Sequence, residues 1–174
     1  MEQKITPTTT KGFIIGLIMI AISLTASFLG VQTNGSFQWI IYCVFLFGII
    51  FSVYQYGKQV DYNSTFGNYF AHGFKVSAMI TILMIAFLVI FMNVFPEFKE
   101  RAMEEARRKM SEKNNVSQDQ VEKAMDITKR FFMVFLIGGA LLAYLLFGAI
   151  ASLIGAAVTK KDPRPIEDLN QIGQ

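Results

Sequence analysis

Few side chains in this sequence are of the types that perform acid–base, nucleophilic or metal chemistry. His72 is the only histidine and Cys43 the only cysteine among 174 residues. A histidine pair, a disulfide within one chain and a cysteine-only metal cluster are therefore excluded. Asp61 is the only acid near His72 in sequence, and their spacing matches no acid–base motif. We expect no catalytic residue, no cofactor and no metal site, and hence no enzyme activity.

Four long uncharged runs account for this scarcity. The sequence is 53% hydrophobic, and a bilayer core roughly 30 Å thick needs about 20 apolar residues in a helix. The predicted membrane spans are residues 12–31, 37–54, 76–95 and 131–158. Ionisable residues inside a membrane are typical of pumps and intramembrane enzymes. Because these runs contain none, we expect no coupled transport, and we expect the first run to be retained as a span.

The charge is concentrated between the third and fourth spans. Residues 97–130 carry nine basic and eight acidic residues, more than half of the charges in the protein. Glu105 and Lys109 stand four apart in the order that stabilises an exposed helix. Ser117 and Gln120 have the spacing of a capping box that starts a second helix, continuous with span four. The sequence predicts an all-α membrane protein with four transmembrane helices and an amphipathic helical hairpin inserted between helices 3 and 4.

Span four is rich in small residues at helical spacing. Such ridges let transmembrane backbones approach closely. We interpret them as a helix-packing face, either within the bundle or for self-association. The residues of this face are Gly139, Ala143, Gly148, Ser152 and Ala156.

The segment before span three alternates aromatic and polar residues at steps of three and four. This pattern is typical of a short amphipathic helix at the membrane interface, although its glycines favour an interfacial turn equally. We expect its side chains to contact lipid headgroups, and we expect a structural role for its histidine. The residues are Tyr62, Phe66, Tyr69, Phe70, His72 and Lys75.

Basic residues near the span ends predict the orientation. Lys11, Lys58 and Lys75 lie on the side of the termini, together with the basic pair in the polar C-terminal tail, residues 159–174; Lys129 and its neighbour oppose them. Following the positive-inside rule, we expect a multi-pass protein of the inner (cytoplasmic) membrane with cytoplasmic termini.

The order of these features resembles the bacterial membrane family called domain of unknown function 4199. The resemblance rests on Trp39, the segments Phe66-Gly67 to Gly73-Phe74, Phe95-Pro96-Glu97 and Ser117-Gln118-Asp119-Gln120-Val121, and the Lys160-Lys161 pair. It implies four membrane helices and no assigned activity, catalytic residue or cofactor. Proteins of this family are often encoded near a polyprenyl-phosphate glycosyltransferase, which the resemblance extends to this chain as an expectation.

Three functions fit this sequence. We favour a non-catalytic subunit or scaffold of a membrane complex, whose partners are membrane lipids and either copies of itself or another membrane protein, with no nucleic acid. The alternative is an accessory protein that binds a lipid or polyprenyl phosphate and acts with a membrane glycosyltransferase. The third is a small channel or transporter.

Overall fold

Helices make up nearly all of the structure. The computed structural model describes residues 6–29, 35–112 and 117–159, with the backbone alone at 35–38. Its helices are α1 (Thr8–Phe28), α2 (Gly35–Gln59), α3 (Phe66–Val94), α4 (Pro96–Ser111), α5 (Gln118–Arg130) and α6 (Phe132–Val158). Four of these, α1, α2, α3 and α6, are long and apolar enough to cross a membrane. The predicted all-α membrane fold with four spans is confirmed.

Three span helices extend beyond the predicted spans. α1 begins at Thr8, α2 continues to Gln59, and α3 begins at Phe66, ten residues before the predicted start of span three. The segment before span three is therefore a turn around Tyr62 followed by the start of α3, and it is not a separate interfacial helix. The reason is a continuous buried face at steps of three and four residues along α3. It comprises Tyr69, His72, Gly73, Val76 and Ile80.

A tight turn leads into α3. Asp61 and Tyr62 have φ angles of 48° and 54°, a left-handed conformation that few residues with side chains adopt. The Tyr62 N–H donates to the carbonyl oxygen of Gly57 at 2.8 Å. This turn reverses the chain within the short distance between the end of α2 and the start of α3.

Several predicted features fall outside the described residues. These are the end of span one at Val31, residues 113–116 of the predicted insert, and the tail from Lys160 onwards.

The chain divides into two compact units, Met1–Ile80 with Phe147–Gln174, and Thr81–Leu146. We call the first the bundle unit; it contains α1, α2, the first half of α3 and the second half of α6. We call the second the hairpin unit; it contains the other halves of α3 and α6 with α4 and α5 between them.

The bundle unit has a fully buried apolar core. Its largest members with no exposed surface come from α1, α2 and α3: Met19, Phe45, Ile49, Val53, Val76 and Ile80. Gly12 of α1 lies so close to α3 that a Cβ atom would stand 2.7 Å from the Cβ of Met79. α1 and α3 are therefore in direct backbone-to-side-chain contact at Gly12, which a residue without a side chain permits.

In the hairpin unit, α4 and α5 pack against each other. Arg107 and Glu122 form an ion pair at 3.8 Å, and the Lys99 ammonium lies 5.5 Å from the centre of the Phe132 ring. Earlier residues of α4 thus face later residues of the α5–α6 segment, which makes the pair antiparallel. The predicted helical hairpin is confirmed in the described residues.

The local signals of the hairpin are also confirmed. Pro96 occupies the first turn of α4. The Ser117 hydroxyl accepts from the backbone N–H of Gln120, and the Gln120 side chain accepts from the N–H of Ser117 at 3.1 Å, which completes the capping box. The prediction that α5 continues unbroken into α6 is wrong, because one residue with a non-helical backbone, Phe131, separates the two helices. Phe131 lies where the charged sequence gives way to the uncharged run.

Candidate functional site at the Lys11 end of the bundle

A buried lysine lies where α1 begins and α2 ends. The Lys11 side chain is 6% exposed, and its Nζ donates to the carbonyl oxygen of Ser52 and to Oε1 of Gln59, each at 3.4 Å. Gln59 is held in turn by Thr6, whose hydroxyl accepts from Nε2 at 2.9 Å and whose N–H donates to Oε1 at 3.3 Å. These polar contacts tie the start of α1 to the last turns of α2.

The described surroundings of Lys11 contain no group that neutralises its charge. Within the described residues no carboxylate lies at ion-pair distance from Nζ. Charge-assisted hydrogen bonds are usually about 2.7–2.9 Å long, so the two contacts at 3.4 Å are weak. A buried charge without a counter-ion is costly. Among the described residues, the Lys11 ammonium is thus hydrogen bonded only to neutral oxygen atoms.

His72 lies beside the Lys11 contacts and shares Ser52 with them. The Ser52 hydroxyl is 3.4 Å from Nε2 of His72, while the Ser52 carbonyl contacts Lys11. The His72 ring stacks on Tyr56 with centroids 4.2 Å apart and an interplanar angle of 11°. In the part of the chain that the structure describes, no carboxylate is hydrogen bonded to His72, and Asp61 is an exposed residue of the turn.

The start of α3 and the end of α6 complete this end of the bundle. Tyr69 meets Tyr56 edge-on at 5.9 Å. Thr159, just after α6, lies against Gly57 of α2, so close that a Cβ on Gly57 would stand 2.5 Å from its methyl group. Polar and aromatic side chains of all four bundle helices therefore converge here. We call the set Lys11, Ser52, Gln59 and His72 the polar end cluster.

The predicted headgroup contacts do not form one surface. Tyr69 and His72 are buried, at 1% and 7% exposure. Tyr62 and Phe70 are half-buried, whereas Phe66 and Lys75 are exposed. Because α3 is already helical here, some of these side chains face the bundle interior and others face outward. Of the two buried residues, His72 belongs to the polar end cluster, and Tyr69 lies beside it against Tyr56.

The predicted small-residue face of α6 is divided between the two units. Gly148, Ser152 and Ala156 are buried in the bundle unit; a Cβ on Gly148 would overlap the Ser77 hydroxyl. Ala143 is half-buried in the hairpin unit, and Gly139 is exposed there with no atom within 4 Å of its Cβ position.

Lys11 is the site residue that sequence reasoning missed. In the sequence Lys11 stands out only as a basic residue that precedes span one, yet the buried face of α1 begins with it. The signal was the run of small residues on the same helix face, which marks the side packed against other helices: Gly12, Gly16, Ser23, Ala26 and Ser27. A lysine adjacent to such a face at the edge of a span is a candidate for burial.

Among the described residues, no group of three His, Cys, Asp or Glu side chains is placed to hold a metal ion.

The fold and the site define a multi-pass, all-α integral membrane protein with a buried polar cluster at one end of its bundle. The family model described as Protein of unknown function (DUF4199) matches residues 10–161, so the chain belongs to that family. Comparison with curated proteins and with solved structures gave no match.

Proposed function

We propose that this integral membrane protein is a non-catalytic subunit or scaffold of a membrane complex, and that its hairpin makes the aqueous contact with a partner. The observation that carries the proposal is the hairpin itself. Two helices, one with a capping box and one with proline in its first turn, pack together and place most of their charged side chains in water. A folded charged element of this kind suits recognition of another protein's charged surface.

The apolar part of the hairpin unit supports the same proposal. Within an 18-residue apolar stretch of α6, only 6% is buried by the rest of the described chain, whereas 39% of the corresponding stretch of α1 is buried. Its exposed stripe at helical spacing includes Phe135, Leu142 and Leu146, with Gly139 between them. Lipid or a partner helix covers such a stripe in a membrane.

We further propose that the termini are cytoplasmic and that the hairpin faces the opposite side of an inner membrane. The exposed lysines Lys58 and Lys75 lie near the ends of α2 and α3 that converge with the start of α1. Basic residues at span ends favour the cytoplasmic side. Labelling of a single cysteine with a membrane-impermeable maleimide in intact cells tests this orientation.

Crosslinking in native membranes tests the scaffold function. In a Cys43→Ser background, a cysteine replaces exposed Lys123 on α5, with exposed Thr65 in the α2–α3 turn as the matched position on the bundle unit. We expect a defined protein adduct from position 123 and none from position 65. A chain that purifies in mild detergent as a monomer, with no adduct from either position, would contradict the proposal.

A further inference from the structure

We propose that the polar end cluster binds the phosphate group of an anionic phospholipid, with the Lys11 ammonium as its principal contact. The inference concerns the bundle unit and does not depend on the partner proposed for the hairpin. It begins from a buried cation whose hydrogen bonds, within the described residues, are made only to neutral oxygens.

The ammonium group has bonding capacity left for an anion. A lysine has three N–H donors, and Lys11 directs them to two oxygens, each at 3.4 Å. Carbonyl and amide oxygens satisfy donors but carry no net charge. A phosphate oxygen at the shorter distance typical of charged pairs would supply both a stronger hydrogen bond and the missing counter-charge.

The neighbouring groups favour a phosphate rather than a cation. His72 contributes Nε2 to its contact with Ser52, and its Nδ1 has no hydrogen-bonding partner among the described residues. Whichever of the two donates in their shared contact, the other keeps one O–H or N–H that can donate to a phosphate oxygen. Exposed Lys75 adds positive charge on α3, and Asp61 is the only described acid in the α2–α3 turn.

The depth of the cluster indicates a lipid as the source of the phosphate. Lys11 immediately precedes the uncharged run that starts at Gly12, so its ammonium lies at the edge of the hydrocarbon region. Lipid phosphates occupy this level, and basic residues there attract anionic lipids. A free phosphate ion shares the same chemistry and is distinguished by experiment.

The test compares two lysines at the same end of the bundle. The full chain is purified in dodecyl maltoside, which contains no phosphate, and its thermal stability is measured with increasing phosphatidylglycerol. Parallel titrations use diacylglycerol and inorganic phosphate. The variants are Lys11→Met, which keeps the apolar stem, and Lys58→Met, which removes the same charge from an exposed position. A third variant, Lys11→Arg, keeps the positive charge.

We expect phosphatidylglycerol to stabilise the wild-type chain, Lys58→Met and Lys11→Arg, because a ligand that binds only the folded state raises its stability. For Lys11→Met, the half-maximal lipid concentration should rise about tenfold or more, as loss of a charged hydrogen bond predicts. Diacylglycerol should have no effect. Stabilisation of wild type by inorganic phosphate, lost in Lys11→Met, would support the anion site and assign free phosphate to it.

Lys11→Met also has an expected effect without lipid. Because it removes a buried charge that no described carboxylate neutralises, the variant should be at least as stable as wild type in detergent alone. Equal lipid responses of Lys11→Met and Lys58→Met would overturn the proposal. The proposal would also be overturned if Lys11→Met were less stable than wild type in lipid-free detergent and Glu2→Gln lost the same stability. A carboxylate of the chain itself would then be the counter-ion of Lys11.

Discussion

The two halves of α6 contain two glycines each, but those glycines have different surroundings. In the bundle unit, Gly148 lies against Ser77, and Gly155 would place a Cβ 3.1 Å from Val53. In the hairpin unit, Gly138 and Gly139 have no atom within 4 Å of their Cβ positions in the described chain. Small residues permit close helix approach, but they do not bring a second helix to the site. Glycine content alone therefore cannot identify which half of α6 is packed.

The two units differ in the same way in their polar groups. The bundle unit buries Lys11 and His72 among helices, whereas the hairpin unit exposes its ion pairs, with both partners of Arg107–Glu122 more than 60% accessible. Buried charges need a specific partner, while exposed pairs contribute about 0–1 kcal/mol. Ligand binding is therefore expected in the bundle unit, and adaptable surface recognition in the hairpin unit.

A bulky residue in each half of α6 should show the difference between the two halves most clearly. Gly148→Leu forces a side chain into the space of the buried Ser77 and should cost about 3 kcal/mol of folding free energy. Gly139→Leu, its matched control, meets open space and should be neutral or slightly stabilising, because leucine favours a helix over glycine. Thermal unfolding in detergent measures both. Equal destabilisation by the two variants would show that another chain covers Gly139.

A smaller substitution, at the polar end of the bundle, tests the same difference between packed and open glycine positions. Gly73→Ala places a Cβ 2.8 Å from the Ser152 hydroxyl oxygen and from a Val53 methyl, so it should cost about 1–2 kcal/mol. Gly67→Ala, where the nearest atom is 3.9 Å away, should not destabilise. Combining Gly73→Ala with Ser152→Gly should recover part of the loss. If the double variant shows no recovery, the α3–α6 contact at Ser152 is not the limiting one.

Much of the fold could be predicted from sequence because the physical signals are local. The four uncharged runs fix the spans, and the Ser117–Gln120 spacing fixes the start of α5. The starts of α1 and α3 lie before the predicted spans, because those spans begin where the uncharged runs begin, just after Lys11 and Lys75. In the folded bundle Lys11 and His72 are helical and are buried by neighbouring helices.

The polar end cluster could not be predicted because it depends on contacts between distant residues. Lys11 and Ser52 are 41 positions apart, and Ser52 and His72 are 20 apart. No spacing rule connects them, whereas the insert's Glu105–Lys109 pair follows directly from helix geometry and is observed at 2.8 Å. Arg108 shows the limit of that rule, since it pairs at 3.6 Å with Glu112, which lies four residues after it rather than before it.

Loss of the α5 cap should affect the hairpin unit alone. Ser117→Ala removes the hydroxyl that accepts from the Gln120 N–H, at a cost of about 1 kcal/mol for an exposed N-cap. Hydrogen exchange should quicken in the first turn of α5 and stay unchanged in α1 and α2. Ser111→Ala, which removes a hydroxyl bonded to the Arg108 carbonyl in the last turn of α4, is the control and should have little effect. Faster exchange throughout the bundle would mean that the two units unfold together.

The smallest expected effect is the pH response of one exposed ion pair. The hydrogen bond and charge of Lys109 hold the pKa of Glu105 below its ordinary value of 4.5. Because the folded-state pKa is depressed, the pair stabilises α4 above about pH 4.5, and this contribution is lost as the pH falls through the lower folded-state value. Lys109→Met should raise the pKa of Glu105 toward 4.5, whereas Lys99→Met on the same helix should not. Carbon-13 NMR titration of the Glu105 carboxyl measures this shift, and an unchanged pKa in Lys109→Met would assign the depression to Arg108.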